Sequence, residues 1–326
     1  MSDQCIIDGR LSVVIPCYNS ENSINDVICS NDEIFKRFGI TDYEYILVND
    51  HSKDNTGKVI RQIAESRNNV TAINLAKNCG QHSALMAGFH YVTGDYIVTC
   101  EDDGQTNMEA IGDMFAKLSE GYDVVSTYWE ERGKRSIFRR TGSKIYNVVA
   151  DRLLPNPEHV IVSIFFVARR YVIDEIIKYT QPYPYINGLL LRTTNNIASI
   201  TCKQLPRTVG RSGYTFKKLL RLWLDSFTAF SIVPLRAASL FGVFTAFIGL
   251  IFAIVTVIRK LIYTDIAVGW SSLISVILVI SGVILCVLGM IGEYLGRIYM
   301  CINLTPQFVI RDVISGEANA EKNTDS

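Results

Sequence analysis

Two long stretches without a charged residue, near the C-terminal end of the chain, limit most strongly how it can fold. The first runs from Ala237 to Ile258, between Arg236 and Arg259, and the second runs from Ile266 to Gly292. About 20 apolar residues, at roughly 1.5 Å of rise per residue, are enough to cross the hydrocarbon core of a bilayer. Glycines within both stretches suit close packing of helices in lipid. The sequence therefore predicts two membrane-spanning helices rather than two buried helices of a soluble core.

Basic residues flank these predicted spans unevenly. The segment before the first span contains one acid, Asp225, and the basic residues Arg207, Arg211, Lys217, Lys218, Arg221 and Arg236. Arg297 follows the second span. By the positive-inside rule, both termini lie in the cytoplasm. No basic segment followed by an apolar one opens the chain, so we expect no signal peptide. We expect a multi-pass protein of the inner (cytoplasmic) membrane with its N-terminal part in the cytoplasm.

Charge and cysteine content exclude two classes of function. The formal net charge is zero, so bulk charge does not indicate a nucleic-acid partner. The eight cysteines include no CxxC pair, which favours reduced thiols over a disulfide framework or a zinc site.

Short apolar runs alternate with helical patterns in the N-terminal part. This alternation predicts an α/β fold with a parallel sheet and helices on both faces. The predicted strands are Leu11–Ile15 (ended by Pro16), Tyr43–Val48, Val70–Leu75, Tyr96–Cys100 and Asp123–Ser126. The predicted helices are Ser20–Phe38, Gly57–Glu65, Gln81–Tyr91 and Glu109–Leu118.

Three polar stretches follow strands of this predicted sheet. They are Pro16–Glu21, Asn49–Thr56 and the acidic stretch that begins at Glu101. Any one of them alone could be an ordinary polar loop, but ligands of parallel sheets bind beyond the carboxyl ends of the strands. Carboxylates there can hold Mg²⁺ or Mn²⁺, which commonly bridges to substrate phosphates. A nucleotide diphosphate is the expected ligand, and neither GxxxxGK[ST] nor GxGxxG follows the first strand.

An ordered set of motifs then carries a resemblance to a known family. The set is VVIPCYNSEN, YILVNDHSKDNT, NLAKNCGQHSALMAGF, CEDDGQTNME, RTVGRSGY, FSIVPLRAAS and IGEYLGRIY, spanning about Leu11 to Tyr299. The chain resembles family 2 glycosyltransferases of the polyprenyl-phosphate type, similar to dolichol-phosphate mannose synthase and bacterial undecaprenyl-phosphate glycosyltransferases. The resemblance implies a GT-A, Rossmann-like domain that binds a nucleotide sugar, with interfacial helices and two C-terminal transmembrane helices.

The resemblance also implies which residues bind the donor and a metal ion. The donor-binding residues would be Pro16, Tyr18, Asn19, Glu21, Asp50, Lys77, Asn78 and Asp102. The family's DxD motif falls on residues 101–103, so Mg²⁺ or Mn²⁺ would be bound by Glu101, Asp103 and Gln105. Glu101 stands where the family has its first aspartate, and Asp102 could take over part of that role.

The acceptor region departs from the family pattern. Where relatives carry an SGFR-like stretch after an acid, this chain has VSIFF (Val162–Phe166), and the nearby acid is Glu158. An acceptor phosphate monoester is largely ionised at neutral pH and needs little general-base help. It needs cations that hold it in line with the sugar. We expect Arg139, Arg140, Ser143 and Arg207 to act here with Asp103 and Glu158, although a basic face at a membrane surface would look similar.

The predicted domains follow from these patterns. Residues 1–230 form the cytoplasmic GT-A domain and include an amphipathic helix over Phe216–Phe230 that lies in the membrane interface. Residues 231–300 form the two-helix transmembrane region, and residues 301–326 form a cytoplasmic tail. The resemblance further implies a homo-oligomer, a tetramer.

The predicted function is that of a membrane-bound inverting hexosyltransferase for cell-envelope glycan modification. It would move a sugar from a UDP- or GDP-hexose, with UDP favoured, to undecaprenyl phosphate on the cytoplasmic leaflet. One alternative is a processive polysaccharide synthase, although the QxxRW motif of such enzymes is matched here only by LLRLW (Leu219–Trp223). The other alternative is a non-catalytic membrane partner that binds nucleotide sugar, which the departures at Glu101, Phe166 and Gly213 motivate.

Overall fold

A computed structural model describes residues 8–129, 160, 162–203, 270–303 and 305–315, together with the single residues 244, 247, 251 and 258. Two compact units divide the chain. The first comprises Met1–Gly213 and Pro306–Ser326, and the second comprises Tyr214–Thr305. The last part of the chain thus belongs to the same unit as its first 213 residues.

An eight-stranded sheet in the order β7-β5-β6-β4-β1-β2-β3-β8 forms the centre of the first unit. Four neighbouring strands, β4, β1, β2 and β3, are parallel to one another. The sheet is mixed rather than wholly parallel, because β6 and β8 run antiparallel to their neighbours. The strands are Leu11–Cys17 (β1), Tyr43–Asn49 (β2), Val70–Leu75 (β3), Tyr96–Thr99 (β4), Val124–Trp129 (β5), Phe166–Arg169 (β6), Ile197–Cys202 (β7) and Ile310–Ser315 (β8).

Helices cover both faces of this sheet, as the alternating sequence pattern predicts. One apolar cluster contains side chains of the first, second and fourth helices, and a second cluster on the other face contains those of the third, fifth and sixth. The helices of this unit are Ile24–Arg37 (α1), Thr56–Ser66 (α2), Gln81–Phe89 (α3), Ile111–Ser119 (α4), Arg170–Ile176 (α5) and Ile186–Thr193 (α6). A short 3₁₀ helix, Met108–Ala110, precedes α4.

The first strand continues past the proline that was expected to end it. Pro16 pairs with Val48 and Cys17 pairs with Asn49, so β1 is two residues longer than predicted. Pairing with β4 covers only Leu11 to Val14. Because Pro16 lies beyond that part of the ladder, its missing N–H removes no hydrogen bond to β4.

The segment that was predicted to cross the membrane is described only in part. A helix, Trp270–Ile302 (α7), overlaps the second predicted span, and of the first only Phe244, Phe247, Ile251 and Ile258 are described. Across the described residues, no helix is both long enough and apolar enough to cross a membrane. The two spans, the interfacial helix and the domain boundaries therefore stay predictions.

Candidate functional site

The carboxyl ends of the four parallel strands bring four loops to one edge of the sheet. We call residues 18–23 loop A, 50–55 loop B, 76–80 loop C and 100–107 loop D; they follow β1, β2, β3 and β4 in that order. From β1, the chain continues to β2 and β3 on one side, and β4 lies on the other side. The order of the strands therefore reverses between β1 and β4, the place where open α/β sheets bind ligands.

Loops A and D are joined across this switch point by Asp102. The backbone N–H of Tyr18 donates to Oδ2 of Asp102 at 2.8 Å, and the Ser23 hydroxyl donates to the Asp102 carbonyl at 2.6 Å. Burial raises the pKa of the Asp102 carboxyl above its usual value, although hydrogen bonds from Tyr18 and Ser20 oppose this shift. Asp102 thus uses its carboxylate to hold loop A in place.

Loops A and B are joined by reciprocal hydrogen bonds around Asn19. Its N–H donates to Oγ of Ser52 at 3.1 Å, and its Oδ1 accepts from the N–H of Lys53 at 2.9 Å. Asn19 and His51 have positive φ angles of 55° and 51°, and no other non-glycine residue in the described ranges does. Such backbone conformations are uncommon and concentrate at functional sites.

Glu21 adds a second link between loops A and B. Its Oε2 accepts from the backbone N–H of Asn55 at 2.8 Å and from Nδ2 of the same residue at 3.0 Å. Because Asn55 directly precedes α2, this carboxylate lies at the N-terminal end of the helix, where negative charge is favourable.

Asp50 joins loops B and C. Its side chain is only 4 % exposed, and its two oxygens accept hydrogen bonds from the N–H groups of Cys79 at 2.7 Å and Gly80 at 2.8 Å. Asn78 donates through Nδ2 to the Asp50 carbonyl at 3.0 Å. Burial raises the pKa of Asp50 above 3.8, against the lowering effect of the two N–H donors and of His51. Asp50 therefore orders the turn that leads into α3.

Loop D presents the remaining acids with partial exposure. Asp103 accepts from the N–H of Gln105 at 3.0 Å, and Thr106 accepts from the N–H of Glu101 at 3.1 Å through its hydroxyl. Gly104, with φ of 73°, supplies the turn between them. Within the part of the chain that the structure describes, no three His, Cys, Asp or Glu side chains group closely enough to hold a metal ion by themselves.

The structure thus gathers most of the donor-binding residues that the sequence predicts. Asn19, Glu21, Asp50 and Asn78 take part in the hydrogen bonds between loops A, B and C, and Tyr18 and Asp102 join loops A and D. Pro16 lies in β1 and Lys77 is exposed in loop C. The predicted acceptor residues Arg139, Arg140, Ser143, Glu158 and Arg207 lie outside the described residues.

Sequence reasoning missed several members of this network. Ser20, Ser23, Ser52 and Asn55 bind neighbouring loops, but small polar residues in a loop give no distinctive signal in one sequence. The N–H groups of Cys79 and Gly80 are backbone donors, which a residue pattern cannot reveal. The available clues were the polar stretches after three of the strands and the family resemblance.

The fold and the site define an α/β protein whose candidate ligand-binding edge lies at the switch point of its sheet. Comparison with known proteins then gives its family. Residues 12–177 match the family described as glycosyl transferase family 2. The chain belongs to this family and is a glycosyltransferase with a GT-A-like α/β fold and a mixed sheet.

Two curated relatives match over nearly their whole length. The undecaprenyl-phosphate 4-deoxy-4-formamido-L-arabinose transferase of Klebsiella pneumoniae subsp. pneumoniae is 33% identical over 319 residues, which cover 97% of this chain and 97% of that protein. The protein of the same name from Proteus mirabilis is 33% identical over 309 residues, which cover 94% of each chain.

A solved structure supports the fold. The crystal structure of glucosyl-3-phosphoglycerate synthase from Mycobacterium tuberculosis in complex with Mn²⁺ and uridine-diphosphate-glucose aligns with a TM-score of 0.50 at 18% identity. The alignment covers 68% of this chain and 77% of that one.

Proposed function

We propose that this glycosyltransferase moves a sugar from a nucleotide sugar to a polyprenyl phosphate, with undecaprenyl phosphate as the expected acceptor. The observation that carries the proposal is the 33% identity to an undecaprenyl-phosphate sugar transferase over 97% of both chains. A match of this extent includes the chain that follows β7, and not only the domain that many unrelated transferases share.

Loops A to D are the proposed binding site for the donor. Their hydrogen bonds connect Tyr18 with Asp102, Asn19 with Lys53, and Asp50 with Gly80, so the edge of the sheet is ordered by contacts within the chain itself. A site that is ordered in advance loses less freedom when it binds. The relatives' name specifies a formamido-arabinose, a pentose, whereas we expected a hexose, so the sugar must be identified by experiment.

The oxygen donors of loop D fit a hard divalent cation. Asp102 is hydrogen-bonded to loop A through the N–H of Tyr18, while Glu101, Asp103 and Gln105 lie partly exposed at the same edge of the sheet. We therefore propose Glu101, Asp103 and Gln105 as ligands and assign Asp102 to holding the loops together. Mg²⁺ usually binds to one or two carboxylates plus substrate phosphates, which agrees with a site that has fewer than three clustered acids. When bound, the cation would neutralise charge that develops on the leaving diphosphate.

The acceptor is proposed to act as its own nucleophile. A phosphate monoester has a second pKa near 6, so at neutral pH its oxygen is ionised without an enzymic base. The protein then has to hold that dianion in line with the anomeric carbon, opposite the leaving diphosphate, so that the sugar inverts. Arg139, Arg140, Ser143 and Arg207 remain the proposed residues for this, and Glu158 a proposed nearby acid.

The position of β8 supports two membrane spans in the intervening segment. β8 pairs with β3, so the chain before residue 204 and the chain after residue 305 belong to one sheet. Any membrane crossing between them must therefore occur an even number of times. On α7, the apolar residues Leu273, Ile284 and Leu295 are 52–64% exposed, which suits contact with lipid. We propose the cytoplasmic leaflet as the location, from the distribution of basic residues.

A transfer assay tests this proposal. Purified protein in detergent is given undecaprenyl phosphate and a panel of radiolabelled UDP- and GDP-sugars that includes pentoses and hexoses. We expect one labelled sugar per lipid, loss of the product in EDTA, and recovery with Mn²⁺ or Mg²⁺. Asp103→Asn should abolish transfer while the exposed Asp113→Asn, on α4, should not.

Each competing function predicts another outcome. A processive synthase would give a polymer, and a non-catalytic partner would bind nucleotide sugar without any transfer. Full activity in EDTA would contradict the proposed cation site.

A further inference from the structure

A line of polar side chains runs from the C-terminal strand to the donor site. It starts at Asp312 on β8, whose Oδ1 accepts from Nδ2 of Asn74 at 2.7 Å. Oδ1 of Asn74 accepts from Nδ2 of Asn49 at 2.8 Å. Oδ1 of Asn49 accepts from the backbone N–H of Ser52 in loop B at 3.0 Å. Ser52 then accepts from the N–H of Asn19, so the line reaches loop A.

The two asparagines at the centre of this line are buried. Asn74 is 2 % exposed and Asn49 is 7 % exposed, so an unpaired amide group there would lose water without a replacement partner. Gly57 leaves the space that the pair needs. A Cβ at that position would lie 2.7 Å from Nδ2 of Asn49 and 3.1 Å from Oδ1 of Asn74.

The ends of the line decide which way both amides point. An asparagine can turn its oxygen or its nitrogen toward a neighbour, but an ionised carboxylate only accepts and a backbone N–H only donates. Asn74 must therefore present its nitrogen to Asp312, and Asn49 must present its oxygen to Ser52. Burial acts to raise the pKa of Asp312, but hydrogen bonds from Arg311 and Asn74 outweigh it and lower the pKa, which keeps the carboxylate ionised.

We propose that Asp312 is a positioning residue for donor binding, which fixes the Asn74–Asn49 pair and through it loop B. The inference rests on the proposed function, because it takes the donor site to be at loops A to D. It also assigns a role to the C-terminal segment: after the apolar region, the chain returns to the sheet and supports the donor site from its edge.

The test compares variants that remove different partners of one carboxylate. Asp312→Ala removes the acceptor of Asn74, and we expect the KM for the nucleotide sugar to rise about tenfold, as for one lost buried hydrogen bond. The acceptor KM and kcat should change by less than about twofold. Asp312→Asn retains an oxygen that can face Asn74 and should keep most of the donor affinity.

Matched controls separate positioning from a general weakening of the strand. The variant Arg311→Ala changes the neighbour of Asp312 in β8, and Arg61→Ala removes an ion pair of 3.1 Å to the same carboxylate. In the described part of the chain neither arginine donates a hydrogen bond to Asn49 or Asn74, and an aspartate still ionises at neutral pH without them. Both should retain the wild-type donor KM. The methyl group that Gly57→Ala adds on α2 would press against Asn49 and Asn74. This variant should therefore raise the donor KM although no residue of β8 is changed.

The outcomes distinguish this inference from the function on which it rests. If the wild-type protein transfers no sugar, the proposed function fails. If the wild type is active and Asp312→Ala has the donor KM of Arg311→Ala, the positioning role is wrong. The same holds if Asp312→Ala lowers kcat and the folded fraction together while both KM values stay constant, since that result indicates a purely structural role.

Discussion

The acids at the candidate site have different roles because they have different hydrogen-bond partners. Asp50 and Asp102 accept backbone hydrogen bonds from neighbouring loops, whereas Asp103 accepts one from Gln105 within its own loop D. All four were predicted from the sequence, by their place after strands and by the family resemblance. Their roles could not be separated, because hydrogen-bond partners depend on which loop packs against each carboxylate.

The raised pKa of Asp50 leads to a prediction about stability and pH. Because the pKa of Asp50 is raised in the folded state, folding favours the protonated carboxyl and that form stabilises the protein. This stabilisation is fully present below about pH 3.8 and is lost as pH rises through the folded-state pKa. The difference in melting temperature, wild type minus Asp50→Asn, should therefore be greatest at low pH and should decrease as pH rises. Thermal melts of both proteins from acid to neutral pH measure the difference.

Asp26→Asn, at an exposed position in α1, controls for the change in net charge. A difference that widens with increasing pH would mean that the carboxylate form of Asp50 is the one that folding stabilises.

At the level of elements, the sequence predicted those strands and helices that short-range residue patterns specify. The first four strands and the helices between them were placed within a few residues, since strand and helix periodicities alternate clearly there. β8 was missed because IRDVIS does not alternate between apolar and polar residues, and because its partner β3 lies far earlier in the chain. The antiparallel β6 was missed as well, because a short apolar run does not indicate which distant strand it pairs with.

The packing of α3 on the sheet gives a second prediction. A Cβ at Gly88 would lie 2.5 Å from Cγ1 of Val14 and 3.1 Å from Cγ2 of Val48, in the middle of two strands. Gly88→Ala should therefore destabilise the protein by about 1–3 kcal/mol, despite the better helix propensity of alanine. It should also weaken donor binding, because loop C leads directly into α3.

Denaturant unfolding measures the first effect, and the exposed α2 variant Lys58→Ala is the control. An unchanged or higher stability of Gly88→Ala would show that the helix can move away from the sheet at little cost.

At the scale of the whole molecule, one sheet contains chain from both sides of the apolar region. This arrangement places the N-terminal strands and β8 in the same compartment. We expect a cysteine introduced at Thr264, between the predicted spans, to react with an impermeant reagent from outside the cell. A cysteine introduced at Ala318, which follows β8 in the sequence, should react only after the membrane is opened. Labelling of Ala318→Cys from outside, above the level that the native cysteines of the wild type give, would reverse the proposed orientation.

The central claim is that the acceptor is the phosphate of a polyprenyl lipid, and its most direct test is a comparison of two lipids. The purified protein is incubated with its nucleotide sugar and either undecaprenyl phosphate or undecaprenol, which has the same chain and lacks the phosphate. The account predicts transfer only to undecaprenyl phosphate, with one inverted sugar joined through the phosphate. Equal transfer to undecaprenol, or a labelled polymer without lipid phosphate, would contradict it.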